Sequence, residues 1–182
     1  MPDYLPHWYC FGLDKLPRVL RQNIDPEFES ALGQRIAALE RAIPPGLPQG
    51  LVHGDVFFDN VLFVENEFRA VIDFEDATRH YFIYDLAMAV TGMCAGGILR
   101  PLATARALLA GYQQVRKLEK RERETLPIFI EYCALTTACW RFWKYHIDAP
   151  DLEKAEKHLQ MVKLAEEVRL TSSEAFQKTS FL

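Results

Sequence analysis

The chain is poor in the features that mark several common protein classes. It has four cysteines, Cys10, Cys94, Cys133 and Cys139, and no two of them form a C-x-x-C pair. That scatter argues against a structural zinc site or a disulfide framework, and the expected state is reduced thiols in a cytoplasmic protein. No apolar run approaches the ~20 residues that a bilayer-spanning helix needs. Residues 1–12 lack the basic start and continuous apolar stretch of a secretory signal. No membrane partner is therefore expected. Positive charge is not in excess either: 21 Lys and Arg stand against 25 Asp and Glu, a net charge of −4. Without a basic stripe, nucleic acid is not an expected partner. Repeats, low-complexity tracts and a clear linker are also lacking, so residues 1–182 are expected to form a single domain.

What remains is an ordinary globular composition, 49% hydrophobic and 25% charged. A chain of this length buries roughly 70% of its unfolded surface. Residues 1–25 read as an N-terminal extension. Tyr4, Trp8, Tyr9 and Phe11 suit an extended segment packing onto something else, and a short helix follows that Pro17 interrupts. A firmer helix is predicted over about 26–43. Asp25 can cap it, Pro26 fits its first position, and Phe28, Leu32, Ile36, Leu39 and Ile43 form one apolar stripe. "PPGLPQG" breaks the chain, "LVH" reads as a short strand, and "NVLFVENEFRAVIDF" reads as a hairpin turning at Glu65–Glu67.

From Ile83 onward the pattern is helical, with a first helix closed by Gly96-Gly97 and a second beginning at Pro101. "LPIFIEYCALTTACWRFWKYHI" is apolar around most of its circumference. Trp140, Phe142, Trp143 and Tyr145 on it are expected in the core, with the lining of a substrate pocket as the lesser alternative. "KLEKRERE" reads as a solvated helix start. The last helix, within 151–168, presents Leu152, Ala155, Leu159, Val162 and Ala165 on one side. Residues 170–182 have few periodic apolar positions and are expected to fray. The class is α+β, mainly helical, with a short hairpin following a polar loop.

That loop, "LVHGDVFFDN", carries the chemistry. Phosphoryl transfer needs a hydroxyl held in line with a nucleotide's terminal phosphate, an acceptor for its proton, and a cation for the phosphate charge. A carboxylate beside the nucleophile serves the first two needs. An amide oxygen a few residues later and a second carboxylate from a neighbouring strand supply the hard oxygens that magnesium prefers. Here four residues separate Asp55 from Asn60, and the hairpin returns Asp73 beside the loop. Asp59 suits a substrate contact or a turn cap. Glu75 and Asp76 suit the metal site or plain solvation. Arg79 and His80 are candidates for a carboxylate or phosphate, and Asp85, on an otherwise apolar helix, is a carboxylate in need of partners.

"HGDVFFDN", "VIDFEDA" and "YDLA" together resemble the large lobe of the aminoglycoside phosphotransferase family, a distant relative of the protein kinases with their H-R-D-x4-N and D-F-G motifs. Gly54 stands in place of the Arg, and Phe74-Glu75 in place of Phe-Gly. Both departures suit small-molecule kinases. Within the family, "LVHGDVFFDNVLF", "AVIDFEDATRHYFIYDLAMAVTGMC" and "GYQQVRKLEKRERETLP" are similar to homoserine kinases. The resemblance implies ATP and Mg²⁺ as cofactors and Asp55 as catalytic base. It implies Asn60 and Asp73 as metal ligands that also hold the nucleotide, His53 as the residue orienting the loop, and Asp85 as its brace. A hydroxyl-bearing small molecule is the implied substrate, homoserine foremost. Choline, an aminoglycoside or a sugar remain open. A non-catalytic remnant acting as an interaction module remains open too.

The nucleotide in this family sits under a small lobe that carries a phosphate-covering loop and a strand lysine. Ahead of His53 the only lysine is Lys15, beside Pro17, and Gly46 and Gly50 are isolated among prolines. The small nucleotide lobe is therefore expected to be absent from these residues, as in a fragment or a shortened gene product. Oligomerisation through the surface that lobe covers is then possible.

Overall fold

In the computed structural model, residues 10–94 and 101–171 are described. The aromatic residues at 4, 8 and 9, the Gly96-Gly97 helix stop and the tail at 172–182 lie outside them. Short apolar segments at the start dock onto the later helical core. Cys10 and Val19 are buried, and the Phe11 ring lies 5.5 Å from that of Trp140. A 3₁₀ turn leads directly into α1 (Leu16–Val19), with Pro17 in the first helical turn. Pro17 therefore starts this helix and does not interrupt it, because a first-turn N–H has no intrahelical partner to lose.

Helix α2 (Pro26–Ala42) begins as its sequence dictates: Asp25 accepts a hydrogen bond from the Phe28 N–H at 3.0 Å. Leu32, Ile36 and Leu39 are buried along its inner stripe. Glu29, on the same helix, is buried as well. It folds back to accept from the N–H groups of Asn23, Ile24 and Asp25.

Four short strands follow. β1 (Gln49–Val52) pairs antiparallel with β4 (Thr78–Tyr81), and β2 (Val61–Val64) pairs with β3 (Glu67–Val71). The second pair is the expected hairpin. Glu65 and Asn66 both have positive φ, 52° and 65°, the backbone of a type I′ turn. β4 was not legible as a strand. Its alternation puts His80 into the core against Tyr84, while Arg79 stands opposite Leu51.

The helical half comprises α3 (Phe82–Cys94), α4 (Pro101–Val115), α5 (Lys120–Trp143) and α6 (Lys157–Leu170). α5 is the central element. Phe129, Ile130, Cys133, Ala134, Ala138 and Cys139 on it are essentially inaccessible.

Two expectations are corrected here. The start of α5 is not wholly solvated: Glu122 is fully buried and accepts from Arg116 at 2.7 Å. It also closes a capping box with Glu119. Helix α6 begins at Lys157, several residues after the expected start, following a π-helical turn at Lys144–Asp148 and a tight turn beyond it. This shifts the helical phase, so His158, Met161, Ala165 and Val168 face inward. Leu152 is 96% exposed and Leu159 is exposed too. No helix among the described residues is long and apolar enough to cross a membrane.

Candidate functional site

The loop between β1 and β2 is held from below by one carboxylate. Asp85, in the first turn of α3, accepts from the His53 N–H at 2.7 Å and from the Gly54 N–H at 2.9 Å. Burial raises its pKa, and those two hydrogen bonds partly oppose the rise. The imidazole of His53 is a strut. Its Nε2–H donates to the Ile72 carbonyl at 2.8 Å, and its Nδ1 accepts from the Asp55 N–H at 3.3 Å. Both ring nitrogens are thus committed to backbone, and the ring lies 4.5 Å from that of Phe74. Such a histidine positions the loop, since its nitrogens are not available to an incoming ligand.

Gly54 has φ of 92°. A Cβ there would lie 2.4 Å from the Asp76 carbonyl oxygen. The position therefore excludes side chains on two counts, backbone conformation and the close approach of the 73–76 segment. This is the physical reason an arginine cannot stand between His53 and Asp55 in this chain. On the other side of the loop, Gly92 of α3 leaves the room that Phe57 occupies: a Cβ at 92 would lie 2.6 Å from its ring.

Asp55 and Asn60 are joined directly. The Asn60 Nδ2 donates to the Asp55 carbonyl at 2.9 Å and to its carboxylate at 3.1 Å. These bonds leave the amide oxygen of Asn60 without a protein donor among the described residues. The hairpin register places the third group. Val61 lies opposite Val71, and the Ile72 N–H donates to the Asn60 carbonyl at 3.0 Å. The chain then turns at Asp73 in a left-handed conformation, φ 64° and ψ 63°, and enters the 3₁₀ turn Phe74–Asp76.

Asp55, Asp59, Asp73, Glu75 and Asp76 all line one cleft of about 600 Å³. The pKa of Asp55 is raised to about 6, by burial first and then by the charges of Asp76 and Asp59. A cluster of hard carboxylate oxygens is what a small divalent cation suits. Among the described residues no three His, Cys, Asp or Glu side chains converge at metal-ligand spacing. The Asp73 carboxylate and the amide oxygen of Asn60 are donors of the kind that fit Mg²⁺, which is usually held by one or two carboxylates with phosphates and water completing its shell.

The opposite wall falls where the sequence reads chiefly as core. It is built from the far end of α5 and the start of α6, with Thr137, Trp140, Arg141, Tyr145, Lys157 and Gln160. Of the aromatic group expected in the core, Phe142 is buried there, while Trp140 and Tyr145 are half-buried cleft residues. Lys15 reaches the rim, ion-paired with Asp14. Arg79 is not among the residues lining this cleft. It points away from its buried neighbour His80, and Arg141 supplies the cleft's guanidinium. The signal for that wall was a lone arginine within the apolar run "CWRFW".

The model of the phosphotransferase enzyme family matches residues 1–120. Homoserine kinase from Phenylobacterium zucineum (strain HLK1) is 36% identical over 127 residues, which cover 69% of this chain and 39% of that protein. Homoserine kinase from Chelativorans sp. (strain BNC1) is 34% identical over 165 residues, 87% of this chain and 48% of that protein. Homoserine kinase from Methylobacterium nodulans (strain LMG 21967 / CNCM I-2342 / ORS 2060) is 40% identical over 103 residues, 55% of this chain and 32% of that protein. The chain spans less than half the length of these relatives.

Proposed function

Because this chain belongs to the phosphotransferase enzyme family, we propose that it is the acceptor-binding and catalytic lobe of an ATP-dependent kinase of a small hydroxyl compound, with homoserine as the favoured acceptor. The observation that carries the proposal is the Asn60 amide bridging to Asp55 in the loop that β3 returns to at Asp73. Asp55 takes the proton as the acceptor oxygen attacks the terminal phosphorus. An O–H bond breaks, an O–P bond forms, the bond to the β-phosphate breaks, and ADP leaves. The Asn60 amide holds the Asp55 carboxylate in place through this step, while His53 and Asp85 fix the loop backbone. A magnesium ion held by Asn60 and Asp73 would neutralise phosphate charge when bound.

Positioning and electrostatics supply most of the catalysis in phosphoryl transfer. Since residues 1–52 carry neither a glycine-rich phosphate loop nor a strand lysine, these 182 residues alone are expected to turn over slowly or not at all. Joined to the N-terminal half of a homoserine kinase relative, they are expected to phosphorylate L-homoserine in preference to choline, an aminoglycoside or a sugar. An ADP-release assay with that panel checks this. Preference for any of the other three would reassign the acceptor, and robust turnover by the 182 residues alone would contradict the dependence on a second lobe.

A second reading has one observation in its favour. Leu62, Phe63, Val64 and Phe68 on the β2–β3 hairpin are exposed, as are Phe58 and Phe74 beside it. An apolar surface of this kind suits a protein partner, either a small lobe or a second copy if the lobe serves as a non-catalytic interaction module. Cytoplasmic location is part of the proposal on either reading.

A further inference from the structure

The cleft beside Asp55 contains a cation that no carboxylate among the described residues pairs. Arg141, near the end of α5, is half-buried. Its Nη1 donates to the Lys157 carbonyl at 3.1 Å and to Gln160 Oε1 at 3.0 Å. Those bonds pin the guanidinium against the first turn of α6. Among the described residues no carboxylate lies within ion-pair distance of it. Its Nε and Nη2 have no protein acceptor there either, and a guanidinium edge of that kind pairs bidentately with a carboxylate. Burial lowers the pKa of Arg141, and Tyr145 and the charge of Asp59 compensate only in part. A partly desolvated charge without a partner is costly. A ligand anion would relieve that cost.

A second, independent feature points into the same space. Thr137 lies one turn earlier on the same face of α5 and lines the cleft. It is 2% exposed, and among the described residues its hydroxyl has no hydrogen-bond partner. Buried hydroxyls are rarely left unsatisfied, so this one is placed for a ligand atom. The cleft therefore offers a fixed guanidinium on one wall, with the unsatisfied hydroxyl of Thr137 buried beside it, and the carboxylates of Asp55, Asp59 and Asp76 on the other. That pairing of signs complements a zwitterion carrying a hydroxyl.

We infer that Arg141 determines acceptor specificity by binding the α-carboxylate of the substrate, with Thr137 beside it, so that the site selects a hydroxyl-bearing α-amino acid over amino alcohols that lack the carboxylate. The inference rests on the reading of Asp55 as the group that meets the acceptor hydroxyl. It gives a chemical reason for homoserine to be favoured over choline or an aminoglycoside, neither of which has a carboxylate.

Calorimetric titration of the 182-residue chain tests it with three probes: L-homoserine, 3-aminopropan-1-ol, which is homoserine without its carboxylate, and 4-hydroxybutanoate, which is homoserine without its ammonium. Wild type is expected to bind homoserine at least about 10-fold more tightly than 3-aminopropan-1-ol, the usual worth of a charge-assisted bond. Arg141→Gln is expected to erase that difference by weakening homoserine and 4-hydroxybutanoate alone. Arg141→Lys is expected to restore part of it, and binding of MgADP is expected to stay unchanged in both. Equal affinity of wild type for homoserine and 3-aminopropan-1-ol overturns the inference without any variant having to fold. So does a loss in Arg141→Gln that falls on MgADP, which would make Arg141 a phosphate ligand. If wild type binds choline but no hydroxy acid, the acceptor reading itself fails and the inference falls with it. No detectable homoserine binding at millimolar concentration has the same consequence.

Discussion

Asp55→Ala, in the chain joined to a nucleotide-binding lobe, is expected to lower kcat by about 10²–10⁴-fold, the usual contribution of a general base. Unfolding will not explain the loss, because the same substitution is expected to stabilise the fold at neutral pH. The sign follows from the pKa. Burial and the neighbouring charges of Asp76 and Asp59 raise the folded-state value to about 6, from 3.8 for an unperturbed aspartate. The folded chain therefore binds the proton more tightly than the unfolded chain, and stability falls as pH rises from about 4 to about 6. Above that window the full cost of the buried charge is present, and below it there is none. Removing the carboxylate should raise stability by about 1–2 kcal/mol at pH 7.5, and the gain should vanish by about pH 4. For the wild-type chain joined to that lobe, kcat/KM should fall about tenfold per pH unit below pH ~6, as the base becomes protonated. Thermal melts at pH 7.5 and 4, together with a pH–rate profile, read both effects. A destabilised Asp55→Ala, or a rate that ignores pH between 5 and 7, would remove Asp55 from the role of base.

Gly54→Ala should have the largest structural effect of any single methyl addition in the loop. The residue holds φ of 92°, a region that costs an L-residue with a side chain about 1–3 kcal/mol. The added Cβ would also lie 2.4 Å from the Asp76 carbonyl oxygen, and backbone, unlike the end of a flexible side chain, cannot swing aside. Either the loop or the 73–76 segment must move. The expected loss is roughly 2–4 kcal/mol, a fall in Tm of about 5–15 °C for a chain of this size. Because Asp55 and Asp76 flank the point of collision, phosphoryl transfer should be lost along with stability. A Tm within about 2 °C of wild type would show that the loop accommodates the methyl group, and the account of why glycine stands there would be wrong.

The loop and hairpin were legible because their geometry is local. Asp55, Asn60 and Asp73 lie within one strand–loop–hairpin unit, and the two-residue turn at Glu65-Asn66, with a one-residue shift between Leu62 and Phe63, returns Asp73 to the loop. Helix α2 was legible because Asp25, Pro26 and a regular apolar stripe all agree. The far wall of the cleft was not. Thr137, Trp140, Arg141 and Tyr145 reach it only because α5 packs across the molecule, and helical periodicity does not say which neighbour a face will meet. The apolar stripe assigned to the last helix held at Ala165 but not at Leu152 or Leu159, for a related reason. A π-helical turn and a tight turn delay the start of α6 to Lys157, and a delay rotates every later side chain. β4 escaped notice because "TRHY" is short and its partner, β1, lies on the far side of the hairpin. Glu122 escaped notice because a mixed-charge run gives no sign that one of its members turns inward to meet Arg116.

The central claim is that folding gathers Asp55, Asn60 and Asp73 at one divalent-cation site. Titrating a ¹⁵N-labelled chain with ADP and Mn²⁺, a paramagnetic stand-in for Mg²⁺, tests it directly, because amide signals broaden steeply with proximity to the ion. The account predicts that the amides of Asp55, Asn60 and Asp73 and their immediate neighbours broaden first and together. Broadening centred elsewhere, or reaching residue 55 while sparing residue 73, would contradict it.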